Sequence, residues 1–181
     1  KAAERGRALA SSMLSVGSQQ QIHPASIDVA SILQGMADVL EMAIGARNRL
    51  ELSLDVNLPR VNLDPTLLEQ SILNLGLNAS AAMPDGGQIR LEGQAETDTV
   101  IITVIDEGVG MSPEVLDQAM EPYFTTRSKT GGSGLGLAMV YGFVRQSGGD
   151  VKIVSRLGEG TRVELCFPTV ESGFATAAGG N

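Results

Sequence analysis

Asn74 and Asn78 stand four residues apart, and two glycine-rich clusters follow them, Asp106-Glu107-Gly108-Val109-Gly110 and Gly131-Gly132-Ser133-Gly134-Leu135-Gly136-Leu137. Each residue type carries a chemistry. An amide carbonyl is a hard oxygen ligand suited to Mg²⁺, an ion that keeps waters and shares phosphate oxygens. A carboxylate at Asp106 can accept from an exocyclic amine, which fits adenine at that edge and not guanine. Gly108 and Gly110 let the backbone approach a flat base closely. The second cluster opens a helix, whose free amides and roughly half a positive charge attract phosphates. In this order the three features describe a pocket for a magnesium nucleotide.

Each feature also has a plainer reading. The asparagines fit the polar edge of an amphipathic helix, and Asp-x-Gly-x-Gly fits a turn that ends a strand. Arg127 and Lys129, which could add cations beside the phosphates, fit a solvated basic loop equally well. The second cluster is neither a Rossmann fingerprint nor a Walker A loop. No apolar strand precedes it, and it lacks the Gly-Lys-Ser/Thr ending.

Periodicity outlines the elements that must position these groups. Residues 2–15 read as helix, with Leu9, Met13 and Val16 in a stripe, and 19–24 as a linker before and at Pro24. Asp28 caps a helix with Ile32, Met36, Val39 and Leu40 on one side, closed by Gly45. Residues 50–56 alternate apolar and polar, the mark of a half-buried strand. Asp64-Pro65 opens a helix running to about Met83. In it Leu68, Ile72, Leu75 and Ala79 make the core stripe, and Asn74 and Asn78 lie on the stripe beside it.

Residues 88–93 and 99–105 predict one hairpin, 151–155 and 161–167 another. Ser112-Pro113-Glu114 opens a short helix, 121–133 lack any period and predict a mobile loop, and 135–146 read as helix. With strands in hairpins and helices between them, the expected fold is α+β. It is a two-layer α/β sandwich, with a mixed, mostly antiparallel sheet, helices on one face, and a preceding N-terminal helix.

A net charge of −8 argues against nucleic acid and anionic membrane as partners. The 43% hydrophobic content is enough for a core, built from aliphatic side chains because aromatics make up only 3%. Cys166 is the single cysteine, which excludes an intramolecular disulfide; its apolar strand predicts a place in the core. No run approaches the roughly 20 apolar residues of a membrane span, and the start is not a secretory signal. These features suit a reducing cytoplasm.

The order Asn74-x-x-x-Asn78, Asp106-x-Gly108-x-Gly110, Glu121-Pro122-Tyr123-Phe124-Thr125-Thr126 and Gly132-x-Gly134-Leu135-Gly136-Leu137 resembles the N, G1, F and G2 boxes of sensor histidine kinases. Their catalytic and ATP-binding domain shares a superfamily with gyrase, the Hsp90 chaperone and MutL. The resemblance implies the Bergerat fold, ATP and Mg²⁺. It implies that Asn78, with Asn74, holds the metal and phosphates and that Asp106 binds the adenine amine. By the same resemblance Gly108, Gly110 and Met111 line the base pocket, and Phe124 packs in the ATP lid. Gly132, Ser133, Gly134, Leu135, Gly136 and Leu137 cover the phosphates, and Thr161 stands near adenine through water. Glu69 falls where the family often has an acidic N-box residue and is a candidate base.

The only histidine, His23, precedes Pro24 instead of an acidic residue, so the acceptor role is not carried to it. The resemblance then divides the chain into the end of a dimerisation hairpin and its linker (1–24), the catalytic domain (25–170) and a flexible tail (171–181). The implied partners are the dimerisation and phospho-acceptor helices of a homodimeric parent kinase and a response regulator or receiver domain. An ATP-switched interaction module of the gyrase, chaperone and MutL kind is the alternative. The lid is expected to order on phosphate binding, and Ala at Gly134 or Gly136 to weaken ATP binding with little effect on stability.

Overall fold

The structure, a computed structural model, describes residues 22–126 and 133–170. The expected N-terminal helix and tail, and Arg127, Lys129 and Gly132 of the loop, lie outside the described residues.

Helices begin where side chains cap them. Asp28 accepts from the Ser31 amide and hydroxyl at 3.3 and 2.9 Å and opens α1 (Val29–Ile44). Asp64 accepts from the amides of Thr66 (3.0 Å) and Leu67 (3.2 Å) and opens α2 (Pro65–Ala82), with Pro65 in its first turn. Ser112 does the same for the short α3 (Pro113–Gln118). The fourth helix, α4 (Gly136–Gln146), departs from the pattern: Leu135 is at its cap position and makes no side-chain capping bond.

The strands are β1 (Ala25–Ile27), β2 (Asn48–Leu54), β3 (Val61–Leu63), β4 (Gly87–Glu96), β5 (Thr99–Asp106), β6 (Asp150–Arg156) and β7 (Gly160–Pro168). Five of them form one sheet in the order β2-β4-β5-β7-β6. β2 runs parallel to β4, as the intervening α2 crossover allows, and the other pairs are antiparallel. Leu33, Leu40, Leu68, Ile72, Val140 and Val144 of the helices are buried together with Leu91, Ile102, Leu165 and Phe167 of the sheet in one core. The expected two-layer α/β sandwich is therefore the observed one.

Three sequence expectations need correction. Val56 is 87% exposed, because β2 stops at Leu54 and the chain turns through Asn57 at φ 64°. On α1, Val39 is exposed while Leu33 and Ile44 are buried, so the helix is rolled slightly from the expected stripe. Cys166 is not in the core. Period-2 alternation sends Val163, Leu165 and Phe167 inward and leaves Cys166, half-exposed, on the outer face between Ile101 and Asp150. Partial burial, aided by acidic neighbours led by Glu164, raises its thiol pKa and so disfavours the thiolate.

β1 and β3, not expected from the sequence, pair antiparallel in a second small sheet. Thr169 bridges to Val61 on β3, and Val170 donates to the Arg60 carbonyl at 3.0 Å. Beside this junction the buried Asp64 carboxylate also accepts from the His23 amide at 2.9 Å. That bond, with those from Leu67 and Thr66, outweighs burial and holds its pKa below the ordinary carboxylate range. A carboxyl depressed in the folded state contributes stability that is present above its unfolded pKa and lost as pH falls through the folded one. Asp64→Ala should therefore cost about 1–2 kcal/mol at pH 7. In urea titrations the gap from wild type should narrow as pH is lowered through that acidic window.

Candidate active site

The buried ridge of α2 (Leu68, Ile72, Leu75, Ala79) fixes the helix's rotation on the sheet. Asn74 and Asn78, both partly buried, then face the start of α4. A Cβ placed on Gly136 would lie 3.8 Å from Asn74 Oδ1 and 3.8 Å from Asn78 Nδ2. The N-terminus with no side-chain cap thus opens directly beside the paired amides. Leu137 packs against the core behind it, and Leu135 is half-buried. Ser133 Oγ accepts from the Leu135 amide at 3.4 Å.

The Asp-x-Gly-x-Gly segment leaves the central strand β5 and is tied to the end of α2, where the Val109 amide donates to the Ala82 carbonyl at 3.0 Å. Gly108 is required there: a Cβ would sit 2.7 Å from both Ala82 Cβ and the Ala82 carbonyl oxygen. Gly110, at φ 63°, lies against the Arg156 carbonyl, so the loop also abuts the turn between β6 and β7. Gly158 donates to the Val109 carbonyl at 2.8 Å across the same contact.

Asp106 is 8% exposed and accepts from the Gly108 amide at 2.8 Å. Burial raises its pKa, and the amides of Gly108 and Thr161 only partly offset it. Thr161 pairs with Asp106 in the β5–β7 register and so shares its face of the sheet. Met111 is half-buried, its amide donating to Ser155 Oγ at 2.9 Å. Ser155 was not singled out from the sequence, where it reads only as a strand residue.

The Phe-Thr-Thr segment meets the second glycine cluster. The Tyr123 amide donates to the Gly134 carbonyl at 2.9 Å, and Phe124 beside it is half-buried. Tyr123 (φ 69°) and Gly134 (φ 69°) are both left-handed at this crossing. Glu69 is not brought to the group. It is exposed, and at about 100° per residue it projects roughly 140° from Asn74 and 180° from Asn78 around α2. A cleft of about 410 Å³ lined by Glu41, Arg47 and Arg49 among others includes none of these residues.

Residues 63–171 match the family described as histidine kinase-, DNA gyrase B- and HSP90-like ATPase. The chain belongs to this ATPase family. Within it the relatives are sensor kinases. Sensor kinase CckA of Brucella abortus is 33% identical over 92% of this chain and 19% of its own length. Sensor histidine kinase ZraS of Salmonella typhimurium is 33% identical over 94% of this chain and 37% of its own. The chain therefore spans between about a fifth and somewhat over a third of these relatives. Full-length ShkA in complex with AMPPNP superposes with a TM-score of 0.74 at 25% identity, covering 84% of this chain and 32% of that one. The catalytic domain of histidine kinase ThkA shares the fold, with a TM-score of 0.72 at 22% identity over 81% of this chain and 96% of that one. The ATPase-family domain is thus of the histidine kinase kind, and the gyrase-like alternative is not favoured. Among the described residues no helix is long and apolar enough to cross a membrane.

The two cluster glycines differ, which corrects the expectation that Ala at both leaves the stability of the ligand-free protein nearly unchanged. A Cβ at Gly134 would meet the Tyr123 carbonyl carbon at 2.5 Å and needs a positive φ as well. At Gly136 the nearest contacts are ordinary ones. In thermal melts of the ligand-free protein, Gly134→Ala should therefore lose at least the roughly 1–2 kcal/mol of a left-handed residue. Gly136→Ala, inside a helix, should melt no lower than wild type.

Asp106 yields a second expectation. Its folded-state pKa is raised, so the folded protein holds the proton more tightly than the unfolded chain. Stability then declines as pH rises from the unfolded pKa through the folded one. Asp106→Asn removes that titration. Urea unfolding from pH 4 to 7 should show the variant gaining on wild type as pH rises.

Proposed function

We propose that this chain binds ATP with Mg²⁺ and presents the γ-phosphoryl to a histidine on a separate dimerisation hairpin of a two-component sensor kinase, for relay to a response regulator. One observation carries the reading: paired asparagine amides against a helix N-terminus that no side chain caps. Helices α1, α2 and α3 each have an Asp or Ser oxygen at that position, and α4 has Leu135. An anionic ligand supplies the missing acceptors, and phosphate is the natural one. The family membership and the AMPPNP complex of ShkA agree with it.

In this reading Asn74 and Asn78 hold Mg²⁺ and phosphate oxygens. Among the described residues no group of three or more His, Cys, Asp or Glu side chains could hold a metal, so the ion depends on amide, phosphate and water oxygens. The ion would neutralise phosphate charge as the phosphoryl group leaves. Asp106 takes the adenine amine, with Gly108, Gly110, Met111 and Thr161 around the base. Ser133, Gly134, Leu135, Gly136 and Leu137 close the phosphate side, with Phe124 beside them and Gly132, Arg127 and Lys129 as further lid contacts. Glu69, on another face of α2, is given no part. The work of the site is positioning and charge stabilisation, the chief demands of phosphoryl transfer.

Calorimetric titration with a non-hydrolysable ATP analogue and Mg²⁺ should show one site. Asp106→Asn should weaken it by about 1–3 kcal/mol, the cost of an unmatched buried polar group. Incubated with labelled ATP, the chain should take up no acid-labile phosphate. Label on His23 would overturn the reading. Steady hydrolysis with nucleotide-dependent self-association would mark a gyrase- or chaperone-like module instead.

A further inference from the structure

The sheet register aligns Asp106, Thr161 and Ser155 side by side on β5, β7 and β6. Paired residues share a face, so these three polar side chains stand next to one another in a row that Ile89 of β4 completes. The next row, Leu91, Val104, Val163 and Ile153, is apolar. Asp106 and Thr161 already have places in the nucleotide reading. Ser155 has none, although it is the most connected hydroxyl of the row.

Ser155 Oγ lies 2.9 Å from the Gly160 carbonyl, 2.9 Å from Thr161 Oγ1 and 2.9 Å from the Met111 amide nitrogen. A serine hydroxyl has one proton and two lone pairs. The Gly160 carbonyl can only accept, so it takes the proton. The Met111 amide can only donate, so it takes one lone pair. The remaining lone pair faces Thr161, and the contact is a hydrogen bond only if Thr161 supplies the proton. Thr161 therefore donates to Ser155, and its own lone pairs are left for the pocket.

We infer that Ser155 is a specificity-determining positioning residue that fixes Thr161 as an acceptor beside Asp106, so that the pocket selects 6-aminopurine over 6-oxopurine nucleotides. The inference rests on the nucleotide reading above. Two adjacent acceptors call for a donor: the amine of a 6-aminopurine or a water that it binds. A 6-oxo group puts another acceptor where the amine's donor stood, so that acceptors face one another, which is costly beside the buried Asp106. Without Ser155 the Thr161 hydroxyl is released to rotate and donate, and the discrimination weakens. Ser155 also ties Met111 of the base pocket to the β6–β7 turn, so it fixes both the shape and the proton direction of this wall.

The test is calorimetric titration with ADP and IDP in the presence of Mg²⁺, two ligands whose bases differ at the 6-position. Wild type should favour ADP. Ser155→Ala should reduce the ADP/IDP affinity ratio about tenfold, the scale of one hydrogen bond. Ser155→Thr, which keeps the hydroxyl, should restore it. In a Thr161→Val background the effect of Ser155→Ala on the ratio should be much smaller, reduced to what the Met111 tie contributes. Equal loss of both affinities in Ser155→Ala would overturn the inference, as would an undiminished effect in the Thr161→Val background. Should Ser155→Ala fail to fold, Thr161→Val alone decides: an unchanged ratio overturns it and a reduced one supports it. Failure of wild type to bind either nucleotide would instead overturn the underlying nucleotide reading.

Discussion

The rotation and placement of α2 is the constraint on which the rest depends. Its apolar ridge buries against the sheet, and with that ridge inward the helix can present only one neighbouring stripe to α4, the one carrying Asn74 and Asn78. Both ends are fixed. Asp64 holds the first turn and the incoming chain at His23, and the Ala82 carbonyl holds the amide of Val109. The helix therefore links three parts of the site: the paired amides along its side, the aspartate loop at its far end and the uncapped α4 across from it. A slip of one residue would rotate the asparagines about 100° and disconnect all three.

Around this frame the protein tolerates local unfavourable terms. Asp106 is a carboxylate in a buried position, with desolvation exceeding the help from two amides. α4 begins on a leucine in place of an oxygen-bearing cap. Tyr123 is held at positive φ against Gly134. Each departs from what folding alone would choose, and each falls within the motifs that the nucleotide reading uses. Asp28, Asp64 and Ser112, by contrast, are conventional caps at helix starts outside those motifs.

Much of this was legible in the sequence because it depends on local rules. Asp64-Pro65 marks a helix start, the Leu68-Ile72-Leu75-Ala79 spacing gives its inner face, and both hairpins show their turns. What escaped depends on length or on partners. β1 and β3 have three residues each, too few to show a period. Cys166 was misplaced because Leu165-Cys166-Phe167 is apolar throughout; the flanking Arg162 and Glu164 set the alternation that turns it outward. Glu69 stands at the family's acidic N-box position, while helical geometry sets it on another face of α2 from the asparagines. Ser155 was invisible because its importance comes from two other strands and a loop, and cross-strand adjacency is not written along the chain.

The small sheet has a mechanical meaning. β3 is flanked by β1 on one side and by the bridge to Thr169 on the other, so the chain segments at both ends of the domain are fastened to the same three residues. A pull between Ala25 and Val170 would load this clasp in shear and leave the five-stranded sheet slack. Asp64, immediately after β3, puts the cap of α2 next to the clasp. One three-residue strand thus sets where the chain at Ala25 and the chain at Val170 run relative to each other, at the same edge of the fold.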